Sequence, residues 1–186
     1  MAWRVAKSLL KLQTQLDDAA PARAKPDGFI GDADHANRTS DHNPWCAGEV
    51  VTAGDFKDDD RAGANMRLVA ESLRRSRDRR IKYVIHEGKM FSSYPTSTYG
   101  AWEWRPYSGP NGHFTHMHVS VQCNASKDST KDWQIGEWSD MASKAEIRQV
   151  VKEEINKAVK KLAVGKSQEG WNSDRVNLKA AIEGKK

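Results

Sequence analysis

Apolar residues recur at helical spacing near the start of the chain. Val5, Leu9, Leu12 and Leu16 fall on one face, which predicts an amphipathic helix over 3–16. Asp17, Asp18, Pro21 and Pro26 end it. Residues 27–48 are rich in Gly, Asp, Asn and Pro and read as loop, yet they carry His35, Arg38, Ser40 and His42. Polar loops held on a rigid scaffold are where sites concentrate. Glu49 to Phe56 reads as a short buried strand that presents Asp55. A second helix is expected over 62–79, with Met66, Val69, Ala70 and Leu73 on one face. Ile81 to Ile85 reads as a strand and Lys89 to Phe91 as its hairpin partner. Residues 94–112 form a turn-rich loop containing Trp102, Trp104, Arg105 and Pro106, and Phe114 to Val121 alternates as a strand should. That order of elements predicts an α+β fold, a small, largely antiparallel sheet flanked by helices.

A boundary is expected near 125–140, because Asn124 to Lys131 is polar and breaks the pattern. The division is then a domain over 1–139 and a basic helical tail over 140–186. Ile147, Val151, Ile155, Ala158 and Leu162 form a stripe along a helix spanning 144–162. Ser143 and Glu146 have capping-box spacing before it, and Gly165 ends it. Little more than two heptads is short for an independent coiled coil, so packing back on the domain and self-association stand as equal alternatives.

Length and composition narrow the class. The 186 residues suit one ordinary domain with an appendage, and seven Trp argue against a disordered chain. No apolar run reaches the roughly 20 residues a membrane-spanning helix needs. The first residues have no apolar core or small-residue cleavage site, so no signal peptide is expected. The net charge of +5 is uneven. Residues 1–139 hold 19 basic and 18 acidic side chains, whereas 140–186 hold 11 and 7. A basic tail suits a polyanion, and a solvated lysine-rich helix is an equally good reading. Arg74, Arg75, Arg77, Arg79 and Arg80 are expected to coat the exposed end of the second helix. No aromatic residues interleave them, so nucleic-acid binding is not expected there. Cys46 and Cys123 are too few for a disulfide framework, and their pairing stays open.

The chemistry concentrates in the histidines, all six of which lie between 35 and 118. His116 and His118 are alternate residues of one expected strand and project to the same face. Two buried neutral histidines in a core would need several hydrogen-bond partners, so a metal site is the better reading. His42 and Asp55 supply matching groups from the earlier half. Two His and one Asp with a position left to water form the catalytic rather than the structural zinc pattern. Asp58 to Asp60 read as turn or cap residues, and His35 and His86 as structural.

At these residues the sequence resembles the D-Ala-D-Ala carboxypeptidase and L-alanyl-D-glutamate endopeptidase group of peptidoglycan-cleaving metallopeptidases, peptidase family M15. It is most similar to the version in endolysins of phages that infect Gram-positive, especially actinobacterial, hosts. The pattern is Ser-x-His, a nearby Asp, and a late His, here Ser40, His42, Asp55 and His118. The segments Gly31 to His35, Tyr83 to Ile85 and Trp104 to Tyr107 also resemble that group, over roughly residues 1–122. Two departures are plain. The His42 to Asp55 spacing is longer than in the commonest pattern, as an inserted turn at Asn43 to Glu49 would produce. Thr115 stands where many members carry the general-base carboxylate.

The resemblance implies a hedgehog-like peptidase fold and a Zn²⁺ cofactor held by His42, Asp55 and His118. It implies His116 as base or transition-state stabiliser, with a register that uses His116 as ligand and His113 before it left open. Arg38 would clamp a stem-peptide carboxylate and Ser40 would assist by hydrogen bond. Trp102, Trp104 and Tyr107 either wall the groove or pack in the core. The expected partner is the peptidoglycan of the bacterial wall, reached from the host cytoplasm at lysis. Two alternatives are a non-catalytic, zinc-stabilised wall-binding module and an HNH-like metal nuclease.

Overall fold

The computed structural model describes residues 2–31 and 38–136. The expected tail over 140–186, its helix over 144–162 and its self-association lie outside the described residues, as does His35. The described residues form nine strands and α-helices. They are β1 (Arg4–Val5), α1 (Lys7–Ala19), β2 (Val50–Val51), β3 (Ala53–Lys57), α2 (Met66–Ser76), β4 (Ile81–His86), β5 (Lys89–Ser92), β6 (Arg105–Pro106) and β7 (His116–Val121). Short 3₁₀ turns cover Asp60–Ala62 and Ala125–Asp128. The described residues are α+β, with a five-stranded sheet in the order β3-β7-β4-β5-β6, antiparallel throughout.

The two faces of the sheet follow from the pleat, which sends alternate residues to opposite sides. Met117, Val119 and Val121 of β7 join Phe56, Val84 and Phe91 in one core cluster. The apolar stripes of both helices cover that side, Leu9, Leu12 and Leu16 from α1 and Met66, Val69 and Leu73 from α2. His116, His118 and Ser120 therefore share the opposite face of β7. In the β3–β7 register Asp55 stands directly across from His118. Each large side chain so buried stabilises the fold by about 1.5–3 kcal/mol.

Several boundaries differ from the sequence reading. Helix α1 begins at Lys7, because Arg4–Val5 pairs in parallel with Val50–Val51. The strand expected over 49–56 divides at Thr52, whose N–H donates to the Asp41 carbonyl and whose carbonyl accepts from Val121 N–H. Helix α2 starts only after Asn65, whose side chain accepts from the Leu68 N–H, and stops where Arg77 turns left-handed. Phe114 stays outside β7 and is 70% exposed.

The arginine cluster is not a uniform surface coat. Arg80 is buried, donates to both oxygens of Asp78 and lies 3.7 Å over the Trp133 ring. Arg74 and Arg75 both donate to the Glu71 carboxylate, which also accepts from Trp104 Nε1 at 3.0 Å. Trp102 and Trp104 pack on the core, with the Trp104 ring edge-on to Phe91. The hydrogen bond from Arg74 holds the Glu71 carboxyl down at about 2, below its ordinary 4.5. A depressed folded-state pKa adds stability that is present above the unfolded value and lost as pH falls. Glu71→Gln is therefore expected to lower stability by about 1 kcal/mol at pH 7, given solvent screening, with the gap closing between pH 4.5 and 2. Urea midpoints of both proteins across that range check this, and a gap that stayed constant would refute it.

Candidate metal centre

Three donor atoms converge on the open face of the sheet. His42 Nε2 lies 3.2 Å from His118 Nδ1 and 3.4 Å from Asp55 Oδ1, and the latter two are 2.8 Å apart. An ion with tetrahedral bonds of about 2.0–2.1 Å keeps its ligand atoms roughly 3.3 Å apart. The triangle thus has the dimensions such an ion requires.

The outer nitrogen of each imidazole is committed elsewhere, which is the second test of fit. His42 Nδ1 lies 2.7 Å from the Phe29 carbonyl and must donate to it, which leaves Nε2 as the atom that can bind an ion. His118 Nε2 lies 3.0 Å from Ser120 Oγ. With its proton there, Nδ1 is the ligand atom. Such outer partners fix ring orientation and tautomer in metal sites. Tyr83 stacks on the His118 ring at 5.4 Å and 13°. Phe29 reaches its place because Gly54 has no side chain, since a Cβ there would lie 3.0 Å from the Phe29 ring. Gly28 pairs with Asp55 through two backbone hydrogen bonds, which carries the Phe29 carbonyl past β3.

The loop that carries His42 is fastened at many points. Lys82 Nζ donates to both oxygens of Asp41 at 2.8 Å, and Gly31 N–H donates to the His42 carbonyl. Asn43 Nδ2 donates to the Arg38 carbonyl, and Ser40 Oγ accepts from His42 N–H at 3.3 Å. A disulfide joins Cys46 to Cys123, just beyond β7. The pairing left open by the sequence is therefore made, and it ties the His42 loop to the strand that carries His118.

Electrostatics favour a cation at the centre. Burial pushes the Asp55 carboxyl up, but hydrogen bonds from His118 and His42 outweigh it and hold it far below the usual range. Burial pushes His42 down, and the hydrogen bond and charge of Asp55 more than reverse that. The neighbouring histidines move the other way. Burial, followed by the nearby His118 and His116, holds His113 at about 4, and burial also lowers His116.

The cleft over these groups has a volume of about 220 Å³. Arg38, Ser40, His42, Asp55 and His118 line it. Tyr107 is on the cleft wall, whereas Trp102 and Trp104 belong to the core. His116 faces the second carboxylate oxygen, its Nε2 3.6 Å from Asp55 Oδ2, while Thr115 Oγ1 lies 3.2 Å from its Nδ1. His86 pairs with Asp58, and Asp58 also accepts from Met66 N–H.

Three contributors escaped the sequence reading. They are the Phe29 carbonyl, Ser120, and His113 as a cleft wall. His113 adopts a left-handed backbone with φ 53°, uncommon for a residue with a side chain. Only Ser120 had a retrievable cue, being two residues beyond His118 on the same strand face.

Comparison with protein-family models, curated proteins and solved structures returned no match.

Proposed function

We propose that this chain is a zinc-dependent peptidoglycan hydrolase that cuts a peptide bond in the stem peptide or cross-bridge of the bacterial wall, acting as a phage lysis enzyme. The observation that carries the reading is the triangle of His42 Nε2, Asp55 Oδ1 and His118 Nδ1, with both outer nitrogens already anchored. The resemblance of Ser40, His42, Asp55 and His118 to the D-Ala-D-Ala carboxypeptidase group supplies the substrate class. On this reading the antiparallel sheet with its helices on one face is the peptidase fold of that group.

Zinc held there supplies Lewis acidity, polarising a carbonyl and lowering the pKa of water towards about 7. The chain's own residues do the rest. His116 takes the proton of the attacking water on Nε2 and hands it to the leaving amine, so the C–N bond breaks to a carboxylate and an amine. Thr115 stands where a carboxylate base was expected and instead partners His116 Nδ1, which orients the ring with Nε2 towards Asp55. Arg38 binds a substrate carboxylate across the cleft, and Ser40 supports the His42 turn through its hydroxyl.

The nuclease alternative expects the metal-binding His on a helix, and here both His116 and His118 lie on β7. The wall-binding alternative rested on the lost carboxylate at Thr115, whose contact with His116 gives it another use. No helix among the described residues is long and apolar enough to cross a membrane. On the proposed reading the enzyme gathers in the host cytoplasm and reaches the wall at lysis.

The test is digestion of purified actinobacterial peptidoglycan with mass analysis of the products. Intact protein should release stem-peptide fragments. Chelation should abolish release and zinc should restore it. His116→Ala should bind zinc and lose on the order of 10²–10⁴-fold in rate. Zinc-loaded protein that binds wall material and releases nothing would leave the binding module standing instead.

A further inference from the structure

A second group of metal-ligating side chains shares Asp55 with the first. Asp55, His113 and His116 each offer one ligand atom, and these lie within 4.8 Å of one another. The carboxylate is divided between the two groups. Oδ1 faces His42 and His118, and Oδ2 faces His116 Nε2 at 3.6 Å.

Among the described residues, two buried nitrogens here have no hydrogen-bond partner, His113 Nδ1 and His116 Nε2. Buried polar atoms are nearly always satisfied, so each unpaired one needs an explanation. The two rings stand 4.9 Å apart, centre to centre, which places both orphans in one small region. Thr115 occupies the other nitrogen of His116, so the orphan Nε2 is the one left for a ligand. The Asn111 side chain accepts from His113 N–H and the His113 carbonyl accepts from Glu87 N–H, so the uncommon backbone at this residue is held from both sides.

We propose that Asp55 Oδ2, His113 and His116 form a second divalent-cation site, weaker than the first and bridged to it by the Asp55 carboxylate. Imidazole and carboxylate donors suit zinc and similar transition ions. Carboxylate-bridged pairs of this kind hold their ions about 3.5–4 Å apart. The site is weaker because its only anionic ligand is shared, and because His116 Nε2 stands 3.6 Å from Asp55 Oδ2 where the edges of the first triangle are 2.8, 3.2 and 3.4 Å. Filling it engages His116 Nε2, the atom that carries the proton in hydrolysis, so excess zinc inhibits the enzyme. That consequence rests on the proposed function, whereas the cation site itself does not.

The test uses the full chain, stripped by chelator and titrated calorimetrically with Zn²⁺ alone, with metal content measured separately. Wild type should take up two equivalents, the second at least tenfold more weakly. His113→Asn and His116→Asn should each take up one, and retention of the tight equivalent shows that the variant has folded. A single equivalent in wild type, or a second one persisting in both variants, overturns the proposal. Electron paramagnetic resonance of the Co²⁺ form needs no variant. Coupling between the ions should reduce the signal per ion at two equivalents, and two additive independent signals would overturn the bridge. Wall digestion by the one-ion protein is scored separately. Its failure would remove the peptidase reading and leave the count of ions intact.

Discussion

Asp55→Asn is expected to abolish zinc binding at the His42–Asp55–His118 centre and, with it, wall hydrolysis. The substitution keeps the shape of the side chain and removes its charge. Asp55 is the only anionic member of the triangle, and both imidazoles point their ligand nitrogens at its Oδ1. Loss of an outer partner of a ligand typically costs 10–100-fold in metal affinity, and loss of the charged ligand itself exceeds that. Ser120→Ala supplies the graded comparison. It removes only the group beside His118 Nε2, so a loss of roughly 10–100-fold is expected there. Chelator competition on both variants decides the matter. Unchanged zinc affinity in Asp55→Asn would mean that the triangle is not the metal site. Affinity should also rise with pH in wild type, because an imidazole must be neutral to bind a metal ion, and Asp55 outweighs burial in raising the pKa of His42.

Only part of the triangle was legible in the residues themselves, and the set His42, Asp55 and His118 was what the family resemblance implied. Alternation along β7 put His116 and His118 on one face, and the strand ending in Asp55 supplied a carboxylate whose best use was a cation. What escaped was whatever depends on contacts between distant segments. Val50–Val51 captures Arg4–Val5 as a strand partner, which no helical pattern in residues 3–16 could reveal. Arg80 looked like one more surface cation, but Trp133, far along the chain, stacks on it and buries it. The Phe29 carbonyl is a backbone atom, and any residue type at that position would offer one. His113 was visible as a histidine and not as a cleft wall, because its place depends on a left-handed turn outside the strand. The β3–β7 register is the link between the two levels. It sets Asp55 opposite His118 and converts a pattern in the sequence into distances between donor atoms.

The Cys46–Cys123 bridge leads to the second large expectation, which concerns the stability of the site and the compartment in which it works. The bond closes a separation of 77 residues and joins the His42 loop to the end of β7. Closing a loop of that length stabilises a folded chain by about 2–4 kcal/mol, chiefly by restricting the unfolded one. The His42 loop keeps other anchors when the bridge is absent, notably Lys82–Asp41 and the Phe29 carbonyl, so the fold should persist. The ligand geometry should loosen, since one side of the triangle then rests on noncovalent contacts alone. A Cys46→Ser/Cys123→Ser double variant avoids reductants that bind zinc. It is expected to be about 2–4 kcal/mol less stable in urea and to bind zinc roughly tenfold more weakly, a difference of about 1.4 kcal/mol. Equal stability and equal zinc affinity in the two proteins would show that the bridge does not support the centre. On the proposed function the direction matters, because cytosolic thiols are kept reduced whereas extracellular ones pair. A chain made inside the host would then hold zinc weakly until release, and would gain its tighter centre on the side of the membrane where the wall lies.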